Sequence, residues 1–138
     1  MKPTAHHSRP GELLLVVDDD DHICTIMTQM LEGLGFRVLT SLDGTEALSI
    51  YEKHQAEIAL VITDMLMPFM DGSALILALR KINPWVPVIA MSGFAAQRAK
   101  AEQAGGADTL FLPKPFSLSG LEDKIRTILP RPGKPSKP

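Results

Sequence analysis

The chain predicts an α/β fold, a five-stranded parallel sheet with helices on both faces, and three observations carry that expectation. Five short apolar runs recur at similar intervals, at 13–17, 36–40, 59–63, 86–91 and 109–112, and each reads as a strand buried on both faces. The stretches between them carry apolar residues at helical spacing. Strand and helix therefore alternate throughout, and parallel neighbours need such a crossover, which is right-handed. Finally, the polar residues with chemical potential gather just after the apolar runs, at the carboxyl ends of the strands, where open parallel sheets collect ligands.

The elements follow in order. The first strand ends in the acidic run Asp18, Asp19, Asp20, Asp21. Asp20 or Asp21 caps the helix that follows, whose amide end favours negative charge. That helix shows Ile23, Ile26, Met27, Met30, Leu31 and Leu34 on one stripe, and Gly33 and Gly35 close it. After the second strand, Asp43 with Glu46 three residues on marks an N-terminus, and Ala47, Leu48 and Tyr51 supply the buried face. The third strand breaks at Asp64 into Met65, Leu66, Met67 and Pro68, and the alternation places a third helix before the fourth strand. The fourth helix, 95–104, contains Gln97, Arg98, Lys100, Glu102 and Gln103 and has mainly alanines to bury, so it is expected to be the most loosely attached and a candidate for movement. Leu121, Ile125, Ile128 and Leu129 define the last helix.

With 138 residues and 45% hydrophobic content, the chain supports one full core and leaves no room for a second domain. The expected organisation is an N-terminal tail at 1–11, one domain at 12–129 and a Pro-rich tail at 130–138, whose prolines favour an extended, solvated chain. The balance of 14 basic against 16 acidic residues leaves no footprint for nucleic acid or for an anionic membrane. One cysteine, Cys24, excludes an intrachain disulfide, and no apolar run approaches the ~20 residues of a membrane helix, so no membrane contact is expected. The polar start lacks the apolar stretch of a signal peptide. A cytoplasmic setting follows as the expectation.

Four strand ends supply one compatible set of groups: Asp18 and Asp19 after the first, Asp64 at the third, Ser92 and Gly93 after the fourth, and Lys114 between Pro113 and Pro115 after the fifth. Carboxylates that converge there repel one another, so the arrangement persists where a hard divalent cation or an ammonium neutralises them. Taken alone, each piece has a plainer reading: a solvated cap for Asp20 and Asp21, a turn for Ser92 and Gly93, a core residue for Phe111. His6, His7, His22 and His54 share no metal-ligand spacing and read as surface residues. Trp85 precedes the fourth strand at the end of the sheet remote from this set, as a contact residue or as loop packing.

From 13 to 129 the chain resembles the receiver domain of two-component signalling, the response-regulator family. The resemblance rests on Val16, Val17, Asp18 and Asp19, on Asp64 followed by Met67, Pro68, Asp71 and Gly72, on Ile89 to Gly93, and on Phe111 three residues before Lys114, Pro115 and Phe116. It implies a flavodoxin-like fold with strand order 2-1-3-4-5. It also implies that Asp64 accepts a phosphoryl group from a phosphohistidine, on a sensor histidine kinase or a histidine phosphotransfer protein. By the same resemblance, Mg²⁺ would be held by Asp19, Asp64 and the backbone carbonyl of Leu66, with Asp18 helping directly or through water. Lys114 and Ser92 would act on the phosphoryl oxygens, and Ser92 with Phe111 would switch a surface formed by the fourth helix, fifth strand and fifth helix, which is also a possible dimer face. A cis bond between Lys114 and Pro115 fits the family.

Two departures bear on mechanism. Leu66 and Phe94 occupy the positions that tune acyl-phosphate hydrolysis in this family, and both are apolar, so neither orients a water and both could shield the phosphorus. Phe111 stands where a tyrosine is common, so a partner reads it through apolar contact alone. The alternatives are a metal-dependent aspartyl phosphatase, opposed by Leu66 where a second acid is needed, and a phosphate-independent pseudo-receiver, opposed by the complete set Asp19, Asp64, Ser92 and Lys114. The wording of the sequence looks most like receivers at the C-terminus of hybrid sensor histidine kinases, with a single-domain regulator as the other context. The resemblance implies a phosphoacceptor signalling domain rather than an enzyme, one that would promote its own phosphorylation and dephosphorylation, with any kinase activity in a separate domain.

Overall fold

A computed structural model describes residues 11–94, 96–105 and 108–129. The elements run β1 (Leu13–Val17), α1 (Asp21–Gly33), β2 (Arg37–Ser41), α2 (Gly44–His54), β3 (Ile58–Asp64), α3 (Gly72–Ile82), β4 (Val88–Ser92), α4 (Ala96–Gly105), β5 (Thr109–Pro113) and α5 (Leu118–Ile128). All five strands are parallel, in the order β2-β1-β3-β4-β5. The expected strand count, order and helical layers are therefore present. The two tails fall outside the described residues apart from Gly11.

Alternation along β1 explains why the sheet needs cover on both sides. Leu13, Leu15 and Val17 join Ala47 and Tyr51 of α2, Leu75, Ile76 and Leu79 of α3 and Ala101 of α4. Leu14 and Val16 point the other way, into Cys24, Met27 and Leu31 of α1 and Leu121 and Ile125 of α5. Each fully buried aliphatic side chain contributes about 1.5–3 kcal/mol, so this interior strand anchors both cores. From α4 only Ala101, with Ala104 in part, reaches the core among the described residues, in keeping with its alanine-rich sequence. The side chain of Arg98 lies outside the described residues.

Burial on both faces holds for β1, β3 and β4 but not for the outer strands. In β2, Arg37 and Thr40 are exposed and Val38 and Leu39 only half-buried, and β5 is mixed in the same way. Both are edge strands with one neighbour each, and flanking helices cover an edge incompletely. Three strand starts also shift, β3 beginning one residue early at Ile58. Phe36 is buried but precedes β2, and Val86 is buried but β4 begins only after Pro87. On α1, Ile26 proves half-exposed, because the core stripe runs through Cys24, Met27 and Leu31.

Caps form where the side chains provide for them. Asp20, rather than Asp21, accepts from the His22 amide at 2.9 Å, and Asp43 accepts from the Glu46 amide at 2.7 Å. The Glu46 carboxylate turns back to the Ser41 hydroxyl at 2.9 Å, tying α2 to the end of β2. Below the sheet, at the amino ends of β4 and β5, the half-buried Arg80 guanidinium donates to the Val86 carbonyl, to the Asp108 carbonyl at 3.1 Å and to the Thr109 hydroxyl at 2.9 Å. One side chain from α3 thus pins two loops at the end opposite the acidic cluster. Trp85 is half-exposed at this same remote end.

Candidate functional site

Parallel strands of matched register deliver their last residues to a common edge. Asp18 follows Val17 directly, Asp64 closes β3 opposite Met91, Ser92 closes β4 opposite Pro113, and Lys114 is the next residue. Backbone bonds lock this edge: the Met65 amide donates to the Met91 carbonyl at 2.9 Å and the Lys114 amide to the Ser92 carbonyl at 2.8 Å. The Lys114–Pro115 bond is cis.

At the centre, the Lys114 ammonium lies 3.2 Å from Asp64 Oδ1 and 3.4 Å from Asp18 Oδ2. Asp18 is 1% exposed and Asp64 7%, whereas Asp19 faces solvent. One carboxylate oxygen from each of Asp18, Asp19 and Asp64 lies within 4.8 Å of the others. Three hard oxygen donors converging on one point, partly open to water, suit a divalent cation that keeps some of its waters.

The electrostatics carry the mark of this crowding. Burial pushes the Asp64 carboxyl above its ordinary range and the Asp18 charge adds to it, against the pull of Lys114. Asp18 is raised chiefly by burial, opposed by the Asp20 amide, which donates to its Oδ1 at 2.9 Å, and by Lys114. For Lys114, burial by itself lowers the ammonium, but Asp18 and Asp64 together outweigh it and the net shift is upward. One cation thus serves two carboxylates, and negative charge remains in excess.

Ser92 is buried, and its Oγ accepts from the Phe94 amide at 3.0 Å, which leaves the hydroxyl proton for another acceptor. Phe111 is half-buried on β5, packed against the cluster that includes α3 and Ala101. Leu66 is 45% exposed and Phe94 62%, on the loops that follow β3 and β4. Cys24 lies under the site rather than in it: its thiol points to the Asp18 carbonyl at 3.4 Å, and burial followed by the Asp18 charge pushes it up to about 11. It is a packing thiol, not a nucleophile.

Two residues that shape the site carried no chemical signal in the sequence. A Cβ on Gly72 would stand 2.6 Å from the Asp64 carbonyl and 2.7 Å from Met65 Cα, so only glycine lets α3 start against the end of β3. The adjacent Asp71 caps α3 by accepting from the Ala74 amide at 2.9 Å. Phe69 sits in the same loop with φ 67° and a fully exposed ring. In the sequence Gly72 stands out only as part of a family motif, and no residue pattern marks a single positive φ on a phenylalanine.

Comparison with known proteins agrees with this geometry. Residues 14–126 match the response regulator receiver domain family. The sensor kinase CckA of Brucella abortus is 35% identical over 116 residues, which cover 84% of this chain and 12% of that protein. Chemotaxis protein CheY4 of Vibrio cholerae superposes with a TM-score of 0.77 at 28% identity, covering 86% of this chain and 99% of that one. The receiver domain of the hybrid histidine kinase CckA gives a TM-score of 0.73 at 30% identity, covering 86% and 99%. The chain spans about half the length of the transcriptional regulators among its curated relatives. Among the described residues no helix is long and apolar enough to cross a membrane. With 113 of its 138 residues matched and the acid–lysine cluster at the expected strand ends, the chain belongs to the response regulator receiver domain family.

Proposed function

We propose that this chain is the phosphoacceptor of a two-component relay, with Asp64 taking a phosphoryl group from the phosphohistidine of a kinase or phosphotransfer protein. The observation that carries the reading is the Lys114 ammonium 3.2 Å from Asp64 Oδ1, at a site where one carboxylate oxygen from each of Asp18, Asp19 and Asp64 lies within 4.8 Å of the others. An Asp64 oxygen attacks phosphorus, the phosphorus–nitrogen bond breaks with its electron pair passing to the imidazole, which takes a proton, and an acyl phosphate remains on Asp64. Lys114 is positioned to follow negative charge from the carboxylate onto the phosphoryl oxygens.

Asp19, Asp64 and the Leu66 backbone carbonyl would hold Mg²⁺, with Asp18 as a further or water-mediated ligand. Bound there, the ion would offset charge on the transferring oxygens. The Ser92 hydroxyl would donate to a phosphoryl oxygen, drawing its loop toward Asp64 and letting Phe111 turn inward, which would remodel the face of α4, β5 and α5 that serves output or dimerisation. Leu66 and Phe94 would shield the acyl phosphate and make its hydrolysis slow. The relation to CckA supports a place in a hybrid kinase, with a stand-alone regulator as the other context, and a cytoplasmic location accords with either.

Incubation with magnesium and acetyl phosphate followed by intact mass measurement tests the reading. The expected result is one added phosphoryl group, absent in Asp64→Asn. An unchanged mass in the parent, or an equal gain in the variant, would refute it.

A further inference from the structure

Resting on the phosphorelay reading, we propose that Phe69 is the docking residue for the phosphohistidine-bearing protein, inserted into an apolar pocket beside the donor histidine. The β3–α3 loop is built to hold this ring in water. Its base is closed by the Gly72 amide donating to the Met65 carbonyl at 3.0 Å. Met67 is buried, and Met70 lies so close against the start of α2 that its sulfur would be 2.8 Å from a Cβ on Gly44. Between these two anchors the Met70 amide donates to the Pro68 carbonyl at 2.8 Å, a three-residue turn centred on Phe69 at φ 67°.

An aromatic residue in this backbone region is strained, and here the strain yields no packing, since Phe69 is 102% exposed. An uncovered aromatic on a loop whose backbone is tied at both ends is what binding interfaces use as an anchor, because little backbone freedom is lost on docking.

Its position selects the occupant. Asp64 lies five residues earlier at the floor of the strand ends, 7% exposed, so a protein that delivers phosphate to it must rest on the loops around it. Leu66 and Phe94 extend the apolar surface on those loops, while Asp19, Asp20 and Asp21 line the β1–α1 side with exposed carboxylates. A second copy docked face to face would oppose like charges; a donor with basic residues flanking its apolar pocket complements both parts.

The test compares two phosphate sources in Phe69→Gly and Phe69→Asn, both of which tolerate the positive φ and keep the loop. Acetyl phosphate needs only the pocket, so labelling of Asp64 by intact mass is expected to stay within about twofold of the parent. Initial transfer from the best donor in a panel of ³²P-autophosphorylated histidine kinases is expected to fall by about tenfold or more, mainly through KM, with Phe69→Trp retaining transfer. Undiminished kinase transfer would overturn the proposal, as would an equal fall with both sources or a parent labelled by acetyl phosphate but by no kinase. A parent dimer in sedimentation that Phe69→Gly dissociates would assign the ring to self-association instead. Failure of the parent to label at Asp64 at all would remove the functional reading and this inference with it.

Discussion

Replacing Asp64 by asparagine is expected to stabilise the metal-free protein at neutral pH. The amide keeps an oxygen for the Lys114 ammonium, 3.2 Å away, while the charge is lost. One oxygen of Asp18 lies within 4.8 Å of one of Asp64, so at an effective dielectric constant of about 20 the relieved repulsion is about 3.5 kcal/mol or more. The attraction to Lys114 at 3.2 Å amounts to about 5 kcal/mol on the same scale, of which the retained neutral hydrogen bond recovers about 1. Burial decides the sign, because desolvating a carboxylate costs several kcal/mol and it is the largest influence on Asp64. The net gain is about 1–3 kcal/mol, or roughly 3–10 °C in Tm for a domain of this size.

The assay is urea and thermal unfolding in EDTA between pH 4 and 8. A carboxyl raised in the folded state binds more protons there than in the unfolded chain. The parent therefore loses stability as pH rises from the ordinary value of 3.8 through the raised one. The variant lacks this contribution, so its advantage grows with pH. Magnesium should narrow the gap, since the parent's complete carboxylate set favours binding to the folded state. A variant less stable than the parent at pH 7.5, by an amount that does not change with pH, would refute the balance proposed for the cluster.

Three other outcomes are expected. Once Asp64 is phosphorylated, Leu66→Asn and Phe94→Glu should each speed phosphoryl loss by about tenfold, since each offers a group that orients water; decay no faster than the parent's, followed by intact mass, would end the shielding idea. Gly72→Ala should lower stability by about 1–3 kcal/mol, read from urea midpoints, because its Cβ meets backbone atoms at 2.6 and 2.7 Å; an unchanged midpoint would contradict that contact. Arg80→Met should cost about 3 kcal/mol by leaving the Val86 and Asp108 carbonyls without its guanidinium, while leaving acetyl phosphate labelling intact because it lies at the far end of the sheet.

What could be read from the chain were periodicities and caps. Buried runs at 13–17, 59–63 and within 86–91 are apolar at nearly every position, and Asp43 with Glu46 announces a helix start, because these patterns depend on neighbours close in sequence. The fold class followed from them, and the family motifs supplied the strand order and the identities of Asp18, Asp19, Asp64, Ser92 and Lys114. The edge strands are less buried than their apolar runs predict, since a residue such as Thr40 meets solvent or a neighbour according to strand order, which is a long-range property.

Other features exist only in three dimensions. That Lys114 pairs with both Asp64 and Asp18, 50 and 96 residues away in sequence, depends on register across four parallel strands. Gly72 is required by a close approach to the end of β3 and Arg80 by two loops it bridges, while the exposed Phe69 sits on a turn at φ 67°. Local pattern sets which elements form because propensity and capping act over a few residues, whereas charge balance, steric fit and exposure arise between segments that meet only when the sheet closes.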